Sequence, residues 1–530
     1  MTSERPNILW LVNDHQAYYR HGWDGGPRPL TPHFDRLAAQ GVQFQRSYAA
    51  TPLCGPARRT LLTGLYPHNH QHYYNYSEQP HDREVYLSHL AQAGYRNFYF
   101  GKWHAGPGLP ADLGCEGFSS RDYGNPYISA TYHDYLRRYG LPPAEHWVER
   151  AFLSDSMRRL FPDLREQSRY RCNQAWCGEH AVGLTLTPKE THESFFLANL
   201  ACEALEQLAR DRRLPFHLRV DFWGPHQPYF PTQEYANLYR PENIPEYGSF
   251  RDDLVNRPDL LAEERNAPLG DANGRLIIPS ALPWSEWQLI LARAYAHISM
   301  IDAAGGQILD RLQQLGLSDN TLVIWTADHG DAVVSHGGHF DKGSYLTEEI
   351  IRVPLAMRFP GRIAPGQVCD RPVCSIDLPV TTVGAAETAF ERRVDGRNLL
   401  PLATGQAESW PDDVMVETFG HGYGLHYQGR ALLAGPYKYV YWGNQPDELY
   451  DLEADPYELN NLATDPNGQA ILAEMAQRLA AWQRQTQDPG FDDPGFQAAV
   501  AGDEDKLLHL AVLRDSILRD SILRDSRPYV

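Results

Sequence analysis

The chain contains the stretch NILWLVNDH at residues 7–15, where an apolar run leads directly into Asn13, Asp14 and His15. A run of this length, rich in branched and aromatic residues, indicates a buried β-strand. Three further runs also end in polar residues: YRNFYFGKWH at 95–104, HLRVDFWGPH at 217–226 and TLVIWTADHG at 321–330. The sequence therefore predicts four strands that present polar side chains at one end.

Helical patterns separate these strands, at residues 31–40, 87–93 and 294–315, and the last stops at Gly316, a residue that favours helix ends. Alternating strands and helices predict an α/β fold with a large, mostly parallel sheet flanked by helices on both faces. Ligands bind outside the carboxyl ends of such strands, so we expect the functional site there. The polar residues at these ends are Asp14, Lys102, His104, His226, Asp328 and His329.

The pattern changes after about residue 395. Short strand-like segments at 414–417, 430–433 and 437–441 precede a helical pattern at 469–486, which predicts a smaller α+β subdomain. We therefore divide the chain into a large α/β domain at 1–395, a C-terminal subdomain at 396–490 and a tail at 491–530. Residues 487–500 are rich in Asp, Pro and Gly, as is typical of a linker.

The tail repeats LRDSI with a period of five between residues 513 and 526. This period matches neither face of a helix nor of a strand. The repeat is either a fraying end or an arm that covers its Ile and Leu pairs by joining copies of the chain in a homo-oligomer.

Composition excludes several classes of protein. A formal net charge of −19 disfavours binding to nucleic acid or to anionic membranes. The N-terminus shows no secretory signal and the chain contains no apolar run long enough to cross a membrane. Seven scattered cysteines do not resemble a disulfide scaffold, so we expect a cytoplasmic protein with free thiols. Alternatively, Cys172 and Cys177 form a metal-binding pair.

The stretch CGPARRTLLTG at residues 54–64 is the strongest chemical signal in the chain. Pro56 suits the first turn of a helix, where its missing N–H costs nothing. Cys54 would then lie just ahead of the helix, beside free backbone N–H groups that attract anions. Arg58 is near enough in sequence to reach back toward Cys54.

This stretch resembles the signature of type I sulfatases, C-x-P-x-R followed by T-G. Further resemblances follow in the family's order: residues 7–14 with its first strand and metal-binding turn, 101–104 with its G-K-W-H segment, 328–330 with its second metal segment, 342–343 with its downstream lysine, and 449–463 with its C-terminal signature. Together they cover roughly residues 5–485. The resemblance implies an alkaline phosphatase-like fold and a metal-dependent hydrolase.

The resemblance also implies the reactive group and its metal. A formylglycine-generating enzyme would convert Cys54 to formylglycine, whose aldehyde hydrate would be the nucleophile. Asp14, Asp328 and His329 would bind one divalent cation together with that hydrate. Ca²⁺ is the first expectation, but His15 replaces a second Asp of many family members and His329 replaces an Asn. These departures admit Mn²⁺, Mg²⁺ or Zn²⁺ as well.

The resemblance assigns the remaining site residues around the substrate anion. Lys102, His104, His226 and Lys342 would surround the sulfate group, and Arg58 would orient the hydrate. His104 would be the base that expels sulfate afterwards. We interpret Arg59 as a solvated charge, and the remaining histidines of interest as pocket rim or surface: His68, His70, His72, His336 and His339.

The predicted function is the hydrolysis of aryl or alkyl sulfate monoesters. The first alternative is a phosphonate monoester or phosphodiester hydrolase of the same superfamily, because those relatives also lack the second Asp and carry Asp-His-Gly. The second alternative is a sulfatase-like binding protein without catalysis. Thiol chemistry at Cys54 is a rival mechanism, although a cysteine nucleophile normally uses a histidine base and no metal. The sequence does not identify the alcohol that is released.

Overall fold

The computed structural model of the protein describes residues 5–18, 28–75, 77–121, 124–151, 161–174, 181–261, 282–339, 341–343, 345–420, 427–443 and 445–503. Cys177 and the repeats at 513–526 lie outside these ranges, so the metal-pair and arm hypotheses stay predictions. No helix within the described ranges combines the length and the apolar character needed to cross a membrane.

The strands divide into one large sheet and three smaller ones. In chain order they are β1 (Asn7–Asn13), β2 (Val42–Phe44), β3 (Ser47–Tyr48), β4 (Arg96–Lys102), β5 (Glu116–Ser120), β6 (His146–Ala151), β7 (Ser168–Tyr170), β8 (Ala181–Thr185), β9 (Phe216–Asp221), β10 (Thr321–Ala327), β11 (Leu355–Arg358), β12 (Gln367–Cys369), β13 (Val373–Cys374), β14 (Asp413–Thr418), β15 (Gly429–Ala434), β16 (Tyr437–Trp442) and β17 (Glu448–Asp451). The large sheet has the order β12-β2-β11-β10-β1-β9-β4-β5. Its strands from β10 to β5 run parallel, and β11 is antiparallel to β10 and β2.

Helices cover both faces of the large sheet, as the sequence predicted. The α-helices are Pro32–Ala39, Cys54–Thr63, Pro67–His70, Tyr86–Gln92, Ala130–Tyr139, Glu193–Arg210, Gln233–Ala236, Trp284–Gln314, Ser335–Gly338, Glu348–Ile351, Asp377–Ala385, Leu400–Ala403 and Gln469–Thr486. Alternate residues of β1 explain the arrangement: Leu9 and Leu11 enter one core with helix Trp284–Gln314, and Ile8 and Trp10 enter the core on the other face.

Two boundaries differ from the prediction. The helix expected at 294–315 begins at Trp284, directly after Pro283, because proline suits a helix start and not a helix interior. The expected linker at 487–500 is helical from residue 494 to 503, and its Phe496 and Val500 pack against Tyr73 and Phe419. The Asp and Pro residues of this segment therefore introduce a packed helix.

The C-terminal subdomain is an antiparallel sheet, β14-β15-β16-β17, covered by helix Gln469–Thr486. A buried ion pair connects it to the large domain. The Nδ1 atom of His68 lies 2.8 Å from Oε2 of Glu417 on β14, and the His68 backbone N–H donates to Oε1 at 2.9 Å. Burial alone would lower the pKa of His68, but the Glu417 carboxylate raises it above its ordinary value.

We expect this ion pair to make stability depend on pH. The pKa of His68 is higher in the folded protein than in the unfolded chain, where it is about 6.5. The stabilisation from the ion pair is therefore complete below about pH 6.5 and is lost as the pH rises through the folded-state pKa. His68→Gln should therefore show a thermal unfolding midpoint that falls less between about pH 6 and pH 9 than that of the wild type. Parallel pH profiles for the two proteins would contradict the prediction.

Candidate active site

The polar strand ends meet at one edge of the large sheet. In the parallel pairing of β1 and β10, Asn13 lies beside Ala327, so Asp14 and Asp328 leave adjacent strands together. On the other side β4 pairs with β9 so that Gly101 lies beside Asp221, which places Lys102 at the same edge. Gly101 has φ +104, and a Cβ there would be 1.9 Å from the Asp221 carbonyl oxygen, so only glycine permits this approach.

Cys54 is the first residue of helix Cys54–Thr63, one position further into the helix than expected, and has no exposed surface. Leu53 caps the helix in an extended conformation, and its carbonyl accepts from the Ala57 N–H at 2.9 Å. The Cys54 Sγ atom lies 3.0 Å from Nε2 of His329. The reactive position therefore combines a helix N-terminus with the polar residues that follow β10.

Arg58 contacts carboxylates, and its expected role of orienting the hydrate at position 54 stays a prediction. Its Nε donates to Oδ2 of Asp328 at 2.9 Å and its Nη1 to Oδ2 of Asp221 at 2.8 Å. Its Nη2 lies 3.4 Å from Oδ1 of Asp14. Burial opposes the charge, but these three carboxylates raise the pKa of Arg58. One guanidinium thus fixes the carboxylates of three neighbouring strand ends.

Asp221 was not among the predicted site residues. It accepts hydrogen bonds from Arg58 and from Arg219, which donates to both of its oxygens at 2.6 and 2.8 Å, and Tyr99 adds a third donor at 2.8 Å. Its sequence signal was available, because Asp221 ends a predicted strand as Lys102 does. It holds Arg58 in place from the side opposite Asp328.

Asp14 and Lys102 form a buried pair in which Nζ donates to Oδ2 at 2.5 Å. Although burial would raise the pKa of Asp14, Lys102 and Arg58 hold it well below its ordinary value. The other oxygen of Asp14, Oδ1, accepts no hydrogen bond although it is buried. The Arg58 guanidinium faces this oxygen at 3.4 Å without a hydrogen bond, so the ionised carboxylate oxygen can still bind a cation.

A group of four side chains offers that cation a site. Donor atoms of Asp14, Cys54, Asp328 and His329 all lie within 4.8 Å of one another and are fully buried. Burial and the adjacent Asp14 carboxylate raise the pKa of Asp328 to about 7. Two carboxylates, an imidazole and the group at position 54 fit a divalent cation, which would reverse this shift by favouring the ionised form.

Lys342 is also buried, and it is held by His15 in a network that the sequence did not predict. Its Nζ donates to Oδ1 of Asp341 and to Nε2 of His15, both at 2.9 Å. The Nδ1 atom of His15 lies 3.3 Å from Oδ2 of Asp331, which accepts from the Tyr229 hydroxyl at 3.0 Å. His15 therefore connects Lys342 to the segment after β10.

We expect His15 to act on the reaction by positioning Lys342. His15→Ala removes one of the acceptors of the Lys342 ammonium and should lower kcat/KM for a sulfate ester about 10- to 100-fold. His15→Gln, which retains an acceptor, should recover part of the loss. The metal content of both variants should equal that of the wild type. A metal content that falls with activity would instead identify His15 as a ligand.

His104 and His226 lie in the same buried region. His226 donates from Nδ1 to the carbonyl of Gln227 at 2.7 Å, so Nε2 carries the lone pair, and its ring centroid is 4.1 Å from that of His15. Burial, reinforced by Lys102 and Arg58, lowers the pKa of His104 well below its ordinary value. Its imidazole is therefore neutral near pH 7 and can accept a proton.

The other histidines and Arg59 are buried, which contradicts a surface position for the histidines and a solvated charge at Arg59. His68, His70, His72, His336 and His339 are all at most 5% exposed. The ring of His72 lies against the backbone beside the reactive cysteine, since a Cβ at Gly55 would be 2.9 Å from its Nε2. Arg59 is also buried, and donates to the carbonyl oxygens of Gln79 and Pro80. Sequence spacing alone did not reveal that the segment after helix Cys54–Thr63 folds back over that helix.

One edge of the large mixed sheet brings together adjacent carboxylates, a cysteine at a helix N-terminus and buried lysines. This arrangement is suited to a hydrolase of anionic esters. The Sulfatase family model matches residues 6–388, and the model for the C-terminal part of N-sulphoglucosamine sulphohydrolase matches residues 335–485. The chain therefore belongs to the sulfatase family, as its sequence motifs predicted, and is a sulfuric ester hydrolase.

Individual relatives agree with this assignment. The chain is similar to a choline-sulfatase of Rhizobium meliloti, with 30% identity over 516 residues covering 92% of this chain and 89% of the relative. It is 26% identical to an arylsulfatase of Clostridium perfringens over 467 residues, covering 86% and 90% of the two chains. A phosphonate monoester hydrolase of Agrobacterium radiobacter shares the fold, with a TM-score of 0.72 at 24% identity and coverage of 91% and 96%.

Proposed function

We propose that this enzyme hydrolyses aryl or alkyl sulfate monoesters at position 54, after Cys54 has been converted to formylglycine. One observation carries the proposal: Cys54 lies at a helix N-terminus within the compact group formed with Asp14, Asp328 and His329. The aldehyde hydrate would supply the nucleophilic oxygen. A formylglycine-generating enzyme is the partner this maturation requires.

Asp14, Asp328 and His329 are the proposed protein ligands of one divalent cation. When bound, the cation would neutralise charge on the substrate oxygens and favour the ionised nucleophile. An imidazole among the ligands suits Mn²⁺ or Zn²⁺ as well as the Ca²⁺ expected for the family, whereas Ca²⁺ sites are normally built from oxygen alone. Arg58 keeps Asp14 and Asp328 in place for this task.

The charged side chains would divide the remaining chemistry between them. Lys102 and Lys342 place two ammonium groups at the site, where they can neutralise the sulfate group and donate hydrogen bonds to the leaving oxygen. Neutral His226 is less suited to that donation, because its Nδ1 hydrogen is already used by the Gln227 carbonyl. His104 is neutral and so is suited to act as the base that releases sulfate.

A phosphonate monoester or phosphodiester hydrolase is the second candidate function, favoured by the shared fold and by His15 in place of an Asp. The test compares kcat/KM for 4-nitrophenyl sulfate and 4-nitrophenyl phenylphosphonate on one preparation. We expect the sulfate to be favoured by at least about tenfold, a difference of about 1.4 kcal/mol in transition-state stabilisation. A Cys54→Ala preparation measures contaminating activity. A larger value for the phosphonate would overturn the main proposal.

We further propose that the enzyme acts in the cytoplasm. Four of the described cysteines, Cys115, Cys202, Cys369 and Cys374, are free thiols. Proteins of oxidising compartments more often pair their cysteines in disulfides. A fusion to a fluorescent protein, imaged in the native host, would test this assignment, and fluorescence confined to the cell envelope would contradict it.

A further inference from the structure

A second group of metal-binding side chains lies beside the active site but shares no residue with it. His192 and Glu193 stand at the start of helix Glu193–Arg210, and His297 lies within helix Trp284–Gln314. These two helices pack against each other, and donor atoms of the three residues come within 4.8 Å of one another. All three residues are at most 5% exposed.

The His297 side chain is aimed into a small cavity and has no polar partner there. Neither of its ring nitrogens makes a hydrogen bond, although the residue is only 2% exposed. An imidazole always carries a donor or a lone pair at each nitrogen, and burying both unsatisfied is unfavourable. The cavity therefore needs an occupant that supplies the missing interaction.

His192 and Glu193 indicate that this occupant is a cation. The Nδ1 atom of His192 lies against Oε2 of Glu193 and donates its hydrogen to that carboxylate oxygen, and the Ser194 N–H lies 3.3 Å from the same nitrogen. Glu193 itself accepts from the hydroxyls of Ser194 and Tyr127, at 3.0 and 3.1 Å. A carboxylate and two imidazoles whose donor atoms lie within 4.8 Å of one another attract a cation more strongly than a neutral water molecule.

The cavity is large enough to hold an ion. It measures about 30 Å³ and is bordered by Gly224 and His226 as well as by the three residues. A water molecule needs about 10–15 Å³ measured in this way, so the space holds an ion and one water.

We propose that His192, Glu193 and His297 bind a transition-metal dication of the Zn²⁺ type. Two imidazoles and one carboxylate form a ligand set typical of Zn²⁺, with a water completing the four-coordinate shell. The ion would fasten helix Glu193–Arg210 to helix Trp284–Gln314 behind the segment that carries His226. This site is independent of the cation proposed at Asp14.

Cobalt titration of the full chain tests the proposal without relying on activity. Asp14→Asn removes one of the three proposed active-site ligands and should weaken binding there by at least about 100-fold. This variant should therefore bind one tight equivalent of Co²⁺, seen in the visible absorption of the bound ion. Asp14→Asn combined with His297→Gln should bind none, and the same holds for the combination with Glu193→Gln. Far-UV circular dichroism verifies that each variant is folded. If the variant with His297→Gln does not fold, the Co²⁺ binding of the variant with Glu193→Gln tests the proposal instead.

His146→Gln in the Asp14→Asn background is the matched control. His146 lines the same cavity, but its Nδ1 contacts the Thr185 hydroxyl at 3.1 Å and its ring stacks on Phe230. This variant should keep the full equivalent of Co²⁺. The proposal is overturned if Asp14→Asn binds no Co²⁺, if the variants at His297 and Glu193 still bind it, or if His146→Gln loses it.

Discussion

Cys54→Ala should lower kcat/KM for an aryl sulfate by roughly 10⁴-fold or more, the scale of loss seen when an enzyme is deprived of its nucleophile. Alanine removes the precursor of the aldehyde while leaving the helix start intact, since alanine is a good helix former. The measurement is a steady-state assay on enzyme produced with the maturation partner. Hydrazide labelling of the peptide that contains residue 54 should succeed for the wild type only.

The matched control is Cys115→Ala, which removes another buried thiol far along the sheet, at the start of β5. Its activity and its labelling should equal those of the wild type. Turnover retained by Cys54→Ala would contradict the assigned nucleophile. Full turnover by an unlabelled wild-type thiol would instead favour the rival mechanism, in which cysteine itself attacks.

The second large effect is expected from Asp328→Asn. The change removes one of two carboxylates that face the proposed cation, so metal affinity should fall by at least 100-fold and kcat/KM by roughly 10³-fold. A divalent ion at 100 times its Kd should stabilise the wild type by about 2.7 kcal/mol, and this stabilisation should be lost in the variant. Calorimetric unfolding with and without added metal measures this metal-dependent stabilisation.

Asp331→Asn is the control for metal binding. Asp331 is a buried carboxylate three residues further along the same segment, but it contacts His15 and Tyr229. Its removal should leave the metal-dependent stabilisation intact, even if Lys342 is displaced and turnover falls. Equal loss of stabilisation in both variants would show that a general change in charge, and not ligation, explains the effect.

The sequence predicted the strands that carry the site because each combines a local signal with a polar end. Asp14, Lys102 and Asp328 were identified in this way, and β1, β4, β9 and β10 each begin within one residue of the start of the stretch that predicted them. Such signals need no knowledge of distant residues. The same reasoning succeeded for helix Gln469–Thr486, whose periodic pattern is self-contained.

The remaining site residues depend on contacts between distant segments. His15 adopts φ +65, a conformation rare for histidine, and this turn directs its ring toward Asp331 and Lys342, more than 300 residues away. Nothing in the local sequence announces that arrangement. Arg59 was misjudged for a related reason, since the carbonyl oxygens that satisfy its guanidinium belong to a loop 20 residues downstream.

The complete burial of Cys54 has a consequence for how the enzyme matures. A thiol with no accessible surface is out of reach of any modifying enzyme once the chain has folded. On the proposed function, conversion of Cys54 to formylglycine would therefore precede folding, while residues 54–64 are still extended and exposed. The fraction of active enzyme would then depend on whether Cys54 is modified faster than the chain folds. A chain that folded first would stay inactive until it unfolded again.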